Sequence, residues 1–447
     1  MGAAATPGDV ARLFGRVAFG ATAADLDRWT GRPYAEVVEA LLEVPTATLR
    51  AAQPDEPRRL ALVTTGADVG VAQSWWLERM RTARYPLEER MTLLWHDHFA
   101  TAVAPQLPDL AMVLQQNQTL REHALGNVRN LVAAMTVDPA MLHWLDGQNS
   151  APPLPNENYA REFFELFTLG RSPQVFTETD IREAARAFTG WGADQLTRRS
   201  AFRPQLHDRG AKRILGTTVA DLGAAEHVAV ARLALDQPVA ARFLAATLVA
   251  HLAYETEGDL LTRPDPLVRA VADALRRHDW ELVPALRVLL LSPEFRTSSA
   301  RSHQRAVRSP AEVLVAACKG LGIAADNRSL LELMTRMGQQ LFVPPNVGGW
   351  PTGSSWLSPA TVIARYDLGL RAVALARGLP VGAPALPALP ASTDLAGWAR
   401  RMGLAGLSPN TEAALRRYLA AEDAGTEADR QAGVAALLLA SPDWTVM

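Results

Sequence analysis

Apolar residues in this chain recur at helical spacing almost from end to end, and that period fixes the fold class first. Windows at 8–19, 22–29, 34–43, 71–83, 86–101, 107–135, 157–169, 178–189, 223–235, 238–253, 264–276, 280–291, 310–321, 327–337 and 358–377 read as amphipathic or buried helices. Period-two alternation, which a half-buried strand needs, is scarce; Ala211–Gly216 reads as part of a short hairpin. Start signals agree with the period. Asn156 is placed to cap the helix that follows Pro155, and Asp180 is expected to cap Ile181–Phe188. The sequence Leu289-Leu290-Leu291-Ser292-Pro293-Glu294-Phe295 resembles Leu438-Leu439-Ala440-Ser441-Pro442-Asp443-Trp444, a reused way of ending a helix. The expected fold is all-α. A large single helical domain over 1–378 carries long ordered loops rich in Pro, Gly and Trp. A Pro/Ala linker at 379–392 and a small C-terminal helical segment at 393–447 follow.

Composition narrows the partners. Of 447 residues, 45 are Lys or Arg and 47 are Asp or Glu, a net charge of −2, which argues against nucleic acid or an anionic membrane as the main partner. Cys318 is the single cysteine, so neither an internal disulfide nor a thiolate metal cluster can form. No run approaches the roughly 18 apolar residues of a membrane span, and Met1–Asp9 lacks the apolar stretch of a secretory signal. The expectation is a cytoplasmic protein. Phosphate-binding loops, dinucleotide fingerprints, zincin helices and serine elbows are missing, so ATP, NAD and serine-hydrolase readings have no motif behind them.

The unusual chemistry is concentrated in Asp138–Trp191. There Asn158, Glu162 and Glu165 fall at i, i+4 and i+7 on one helix face, beside the pair Glu157 and Arg161. The following turns are strongly apolar, so the helix is expected to be buried, and buried carboxylates need a partner. That partner is either a metal ion or an ion-pair net using Arg161, Arg182 and Arg186. His96-Asp97-His98 offers two imidazoles that share a side only if the helix ends near Trp95; otherwise they diverge and bond neighbouring carbonyls. His207 and Asp208 lie in a loop with Gly210 and Lys212; they suit a hard or borderline metal, or Asp208 simply caps Gly210. Asn346 and Trp350 sit in a Pro/Gly-rich loop suited to walling a pocket.

Taken in order, these segments are recognisable. Arg12–Gly20, Trp95-His96-Asp97-His98-Phe99, Leu120–Asn127, Pro155–Glu162, Glu165–Gly170, Ala185–Trp191, His207–Lys212 and Pro344–Pro351 together resemble the bacterial domain-of-unknown-function-1800 family over nearly the whole chain. The resemblance implies a large, mostly helical domain and assigns no activity. Many members look exported, and this chain shows no leader.

The leading expectation is a metal-dependent enzyme. His96, His98, Glu162, His207 and Asp208 would hold a divalent ion, with iron the foremost candidate. Glu162, Lys212 and Arg161 would act on a small-molecule or peptide substrate, and Asn158, Asn346 and Trp350 would line its pocket. Non-haem iron oxidation leads, because imidazoles and a carboxylate form the donor set. A metal-dependent hydrolase of phosphate or sulfate esters is the alternative, and a non-catalytic helical scaffold is the third. Oligomeric state is not encoded legibly.

Overall fold

The computed structural model describes residues 3–446 apart from 48, 50–67, 106, 108, 172–173, 195, 256–264, 298–305, 379–387 and 422–424. Most of the predicted linker therefore lies outside the described residues. Helices make up 63% of the structure, and the strands form two small hairpins, so the fold is all-α. The order begins α1 (Pro7–Val17), α2 (Ala23–Trp29), α3 (Tyr34–Leu41), α4 (Val69–Thr82), α5 (Pro86–His98), α6 (Leu110–His123), α7 (Val128–Thr136), α8 (Pro139–Trp144), α9 (Glu157–Glu162) and α10 (Glu178–Ala187). Next come the hairpins β1 (Trp191–Asp194) with β2 (Arg199–Phe202) and β3 (Lys212–Ile214) with β4 (Thr217–Val219). The remainder is α11 (Glu226–Leu235), α12 (Pro238–Leu252), α13 (Pro266–Arg277), α14 (Leu282–Leu291), α15 (Pro293–Thr297), α16 (Pro310–Leu321), α17 (Arg328–Arg336), α18 (Pro359–Arg377), α19 (Leu395–Arg401), α20 (Pro409–Leu419), α21 (Glu427–Ala440) and α22 (Pro442–Thr445).

Capping chemistry sets most helix starts. Asn156 accepts from Tyr159 N at 3.2 Å and Asp138 from Met141 N at 3.0 Å. Before α10 the cap is Thr177 rather than Asp180. The Thr177 hydroxyl accepts from Asp180 N, and the Asp180 carboxylate returns to Thr177 N at 2.8 Å, a reciprocal capping box. The repeated Leu-Leu-x-Ser-Pro pattern ends α14 and α21 alike. Ser292 Oγ and Ser441 Oγ donate to Leu289 O and Leu438 O, and the proline opens a short new helix.

Two apolar cores lie side by side. The first gathers α1–α3, α5, α7, α9, α10 and α11–α14; the second gathers α4, α16–α19 and α21 around Trp75, Trp76, Trp398 and Trp444. In the second, α18 and α21 pack so closely that a Cβ on Gly369 would stand 2.4 Å from Ala436 Cα. Between the cores, Glu89 joins α4, α5 and α6. It accepts from Arg79 and Arg121 at 2.6 Å each and from Trp76 Nε1 at 3.0 Å. Burial pushes its carboxyl up, but the two arginines outweigh burial and hold it at about 2. Among the described residues no single helix is long and apolar enough to cross a membrane. The bent pair formed by α11 with its preceding turn and α12 passes that test only jointly, and its apolar side chains fill the first core.

Candidate functional site

The helix carrying Trp95-His96-Asp97-His98-Phe99 does not stop at Trp95. Phe99 N still bonds Trp95 O at 2.8 Å, so the two histidines point to different sides. His96 is fully buried among Trp76, Phe342 and Trp350, and its Nε2 accepts from Phe342 N at 3.3 Å. His98 Nε2 lies 3.0 Å from the Phe167 carbonyl, among Trp95, Phe99 and Phe243. Burial lowers both rings to about 4, so both are neutral near pH 7. The residue between them does the unexpected work. Asp97 accepts from Trp350 N at 2.7 Å and faces His251 Nε2 at 3.1 Å. These groups, with Glu255 and Trp356, line a cavity of about 50 Å³, room for only a few water-sized groups.

Along α9 and the turns that continue it, Tyr159, Ala160, Phe163, Phe164 and Phe167 are buried while Glu157 and Asn158 are exposed. The expected buried polar face is therefore a rim. Beyond Glu162 the helix widens to π geometry over Phe163–Thr168, with Leu169 N bonding Phe164 O at 2.8 Å. Arg161 forms a two-point pair with Glu178, at 2.8 and 2.6 Å, and Glu165 meets Arg171 at 3.4 Å. Glu162 stays half-buried, its carboxyl raised by burial and by neighbouring Glu165. Asn346 is exposed and caps Gly348 N at 2.8 Å, whereas Trp350 walls the cavity beside Asp97.

The hairpin region after α10 assembles differently. Asp180, Glu183 and Arg186 line one face of α10 and hold the β3–β4 hairpin: Asp180 accepts from Leu215 N, Glu183 from Arg213 N, and Arg186 grips Asp208 at 2.8 and 3.0 Å. Asp208 also accepts from Gly210 N at 2.9 Å. The Arg186 guanidinium holds the Asp208 carboxyl below its usual range, and this pairing occupies the carboxylate. The turn into this region requires glycine at 190. Its φ is +84°, and a Cβ there would stand 3.0 Å from His207 Cβ and from the Phe202 ring.

His207 is turned inward by that turn. Its Nδ1 lies 2.9 Å from the Thr189 carbonyl, which only accepts, so Nδ1 carries the proton. Its Nε2 faces Glu226 Oε1 at 3.2 Å and Asp221 Oδ1 at 3.8 Å. Glu226, fully buried at the start of α11, also receives Lys212 Nζ at 2.7 Å and Leu222 N at 3.2 Å. Lys212 is itself fully buried and donates to Asp208 O, so it has no face left for a substrate.

The expected inner shell is thus not brought to one point. His96, His98 and Asp208 are each held by separate protein groups. Among the described residues the one group of three His, Cys, Asp or Glu side chains spaced for an ion is His207, Asp221 and Glu226, with all ligand atoms within 4.8 Å. Sequence reasoning found His207 and Lys212 but missed Asp221, Glu226 and the Asp97–His251 pair. Larger clefts lie elsewhere, including one of about 790 Å³ between α2 and the α19–α20 segment. No curated protein and no solved structure matches the chain. Residues 12–446 do match the family described as Protein of unknown function (DUF1800), and with that span covering nearly its whole length the chain belongs to that family.

Proposed function

We propose that the chain is a metal-dependent enzyme whose divalent ion is held by His207, Asp221 and Glu226. One observation carries this reading. With Nδ1 protonated toward Thr189, a neutral His207 would aim its Nε2 lone pair at carboxylate oxygens 3.2 and 3.8 Å away. A positive charge belongs in that gap. A backbone carbonyl on the far ring nitrogen is the usual way to orient a metal-binding histidine. The Asp221 side chain, 43% exposed, gives the gap an opening to solvent.

The donor set has one imidazole and two carboxylates. Such a set suits a hard ion such as manganese, iron or magnesium. It departs from the two-histidine pattern behind the expected iron oxidation and favours the hydrolytic alternative, in which a bound ion activates water or polarises an ester. The substrate on this reading is a small molecule or peptide reaching the Asp221 side.

A second reading rests on Lys212. Its ammonium and Leu222 N already supply Glu226 with donors, so the charge in the gap is equally well a proton on His207. The cluster is then a lock in a non-catalytic scaffold. Elemental analysis of protein purified without a histidine tag separates the two. The metal reading expects about one equivalent of a divalent ion, lost in His207→Ala and Asp221→Ala with helicity retained. Under a tenth of an equivalent after purification in that ion removes the metal reading and leaves the scaffold.

A further inference from the structure

A second concentration of buried charge lies where α1, α5, α16 and α18 meet the segment Ala306–Arg308. Arg16, Arg90, Arg308 and Arg365 are all buried there, exposed by 1%, 4%, 4% and 0%. Among the described residues, Glu312 is the one carboxylate whose charge acts on Arg16, Arg308 and Arg365 alike. It is already engaged, meeting Arg90 Nη2 at 3.0 Å and capping Ser309 N at 2.8 Å. Arg90 is satisfied further by the carbonyls of Arg16 and His251.

Arg308 and Arg365 are not satisfied. Arg365 Nη2 donates to Arg308 O at 3.1 Å, but Arg365 Nε and Nη1 have no hydrogen-bond partner. The Arg308 guanidinium lies over the Trp444 ring at 4.2 Å, and its Nε and Nη1 are likewise without one. Arg90, Arg308 and Arg365 share the charge of Glu312, and a guanidinium does not escape by losing its proton. Burial lowers Arg308 and Arg365 only to about 10, with Glu312 pulling each back up, so both stay charged near pH 7. Burying like charges without counterions is costly. Arg308 also forms part of the wall of a cleft of about 350 Å³ lined by Arg12, Gly406, Ser408 and Asp443, which gives a small ion a route from solvent.

We propose that Arg308 and Arg365 form a buried binding site for a small oxyanion of the phosphate or sulfate class. The orphaned Nε and Nη1 groups of the two arginines supply unpaired charge-assisted donors for the oxygens of a tetrahedral anion. Arg16 adds positive potential, and the single negative charge of Glu312 leaves the cluster net positive. The site is independent of the His207 cluster and does not depend on the metal reading.

The test uses the full-length protein, exhaustively desalted into a gluconate buffer. Inorganic phosphate and sulfate are titrated at constant ionic strength, against chloride and against further gluconate, while the urea midpoint is followed. The expected result is a saturable rise with phosphate or sulfate, absent with gluconate and at least tenfold weaker with chloride. In Arg365→Met that rise disappears, and the variant without added anion is as stable as the wild type or more so. A chloride response equal to that of phosphate, or no saturable response to either oxyanion, overturns the proposal. Should Arg365→Met fail to fold, ion chromatography of acid-denatured wild-type protein, pre-equilibrated with phosphate and desalted, decides. About one equivalent supports the site, and less than a tenth overturns it.

Discussion

Replacing Lys212 with methionine would strip the ammonium from a carboxylate that water does not reach, since neither the Lys212 nor the Glu226 side chain is exposed. Breaking a buried ion pair from one side costs about 3–5 kcal/mol. Glu226 keeps Leu222 N as a donor at 3.2 Å, so the lower end, about 3 kcal/mol, is expected for Lys212→Met. The substitution also removes the cation that competes for Glu226. A divalent ion bound by His207, Asp221 and Glu226 should then recover most of the loss, because a ligand present at a hundred times its Kd stabilises by about 2.7 kcal/mol. Urea denaturation followed by far-ultraviolet circular dichroism, with and without excess manganese, measures both quantities. A loss under ~1 kcal/mol would refute the buried pair. A full loss that manganese leaves unchanged would refute the ion site while sparing the pair.

Three further outcomes follow from the packing. His96 and His98 titrate near 4 in the fold instead of 6.5, so the unfolded chain takes up the extra protons; stability is complete above pH 6.5 and falls as pH drops toward 4, by up to about 3 kcal/mol per ring. Urea midpoints read by tryptophan fluorescence across that window should flatten in a His96→Phe, His98→Leu double variant, and an unchanged slope would contradict the burial of both rings. Glu89→Gln leaves Arg79 and Arg121 buried against a neutral amide and should cost about 3–5 kcal/mol in calorimetric or urea unfolding; a cost below ~1 kcal/mol would mean that the three helices do not depend on this junction. Gly190→Ala meets both a left-handed backbone and contact with His207, so at least about 1–2 kcal/mol should be lost, and an alanine variant of undiminished stability would show that the turn can open.

Much of this architecture is legible in the sequence, and the limits have physical causes. Caps are local, so Asn156 and Asp138 could be read from their neighbours alone. Thr177 was hidden by Asp180 because both members of a capping box are good cap residues, and only geometry says which comes first. The π turn after Glu162 has no local signal; it accompanies the burial of Phe163, Phe164 and Phe167 against distant helices. His207 and Lys212 stood out because they share a short loop. Glu226 did not, since an acid in the first turn of a helix already has an ordinary explanation in the helix dipole. Asp97 was passed over in favour of the flanking histidines, and nothing in the sequence joins it to His251, 154 residues later.

The close seating of α18 on α21 bears on how the chain acquires its shape during synthesis. Gly369 and Ala436 must meet before the second core is sealed, so the face of α18 that seats α21 waits for residues 427–440 to emerge. The first core can condense while the ribosome is still translating, because its fully buried members among the described residues end at Phe295. Nascent molecules therefore pass through a half-built stage with an apolar flank uncovered. Interruption of translation before residue 427 would leave that flank as a hazard for aggregation.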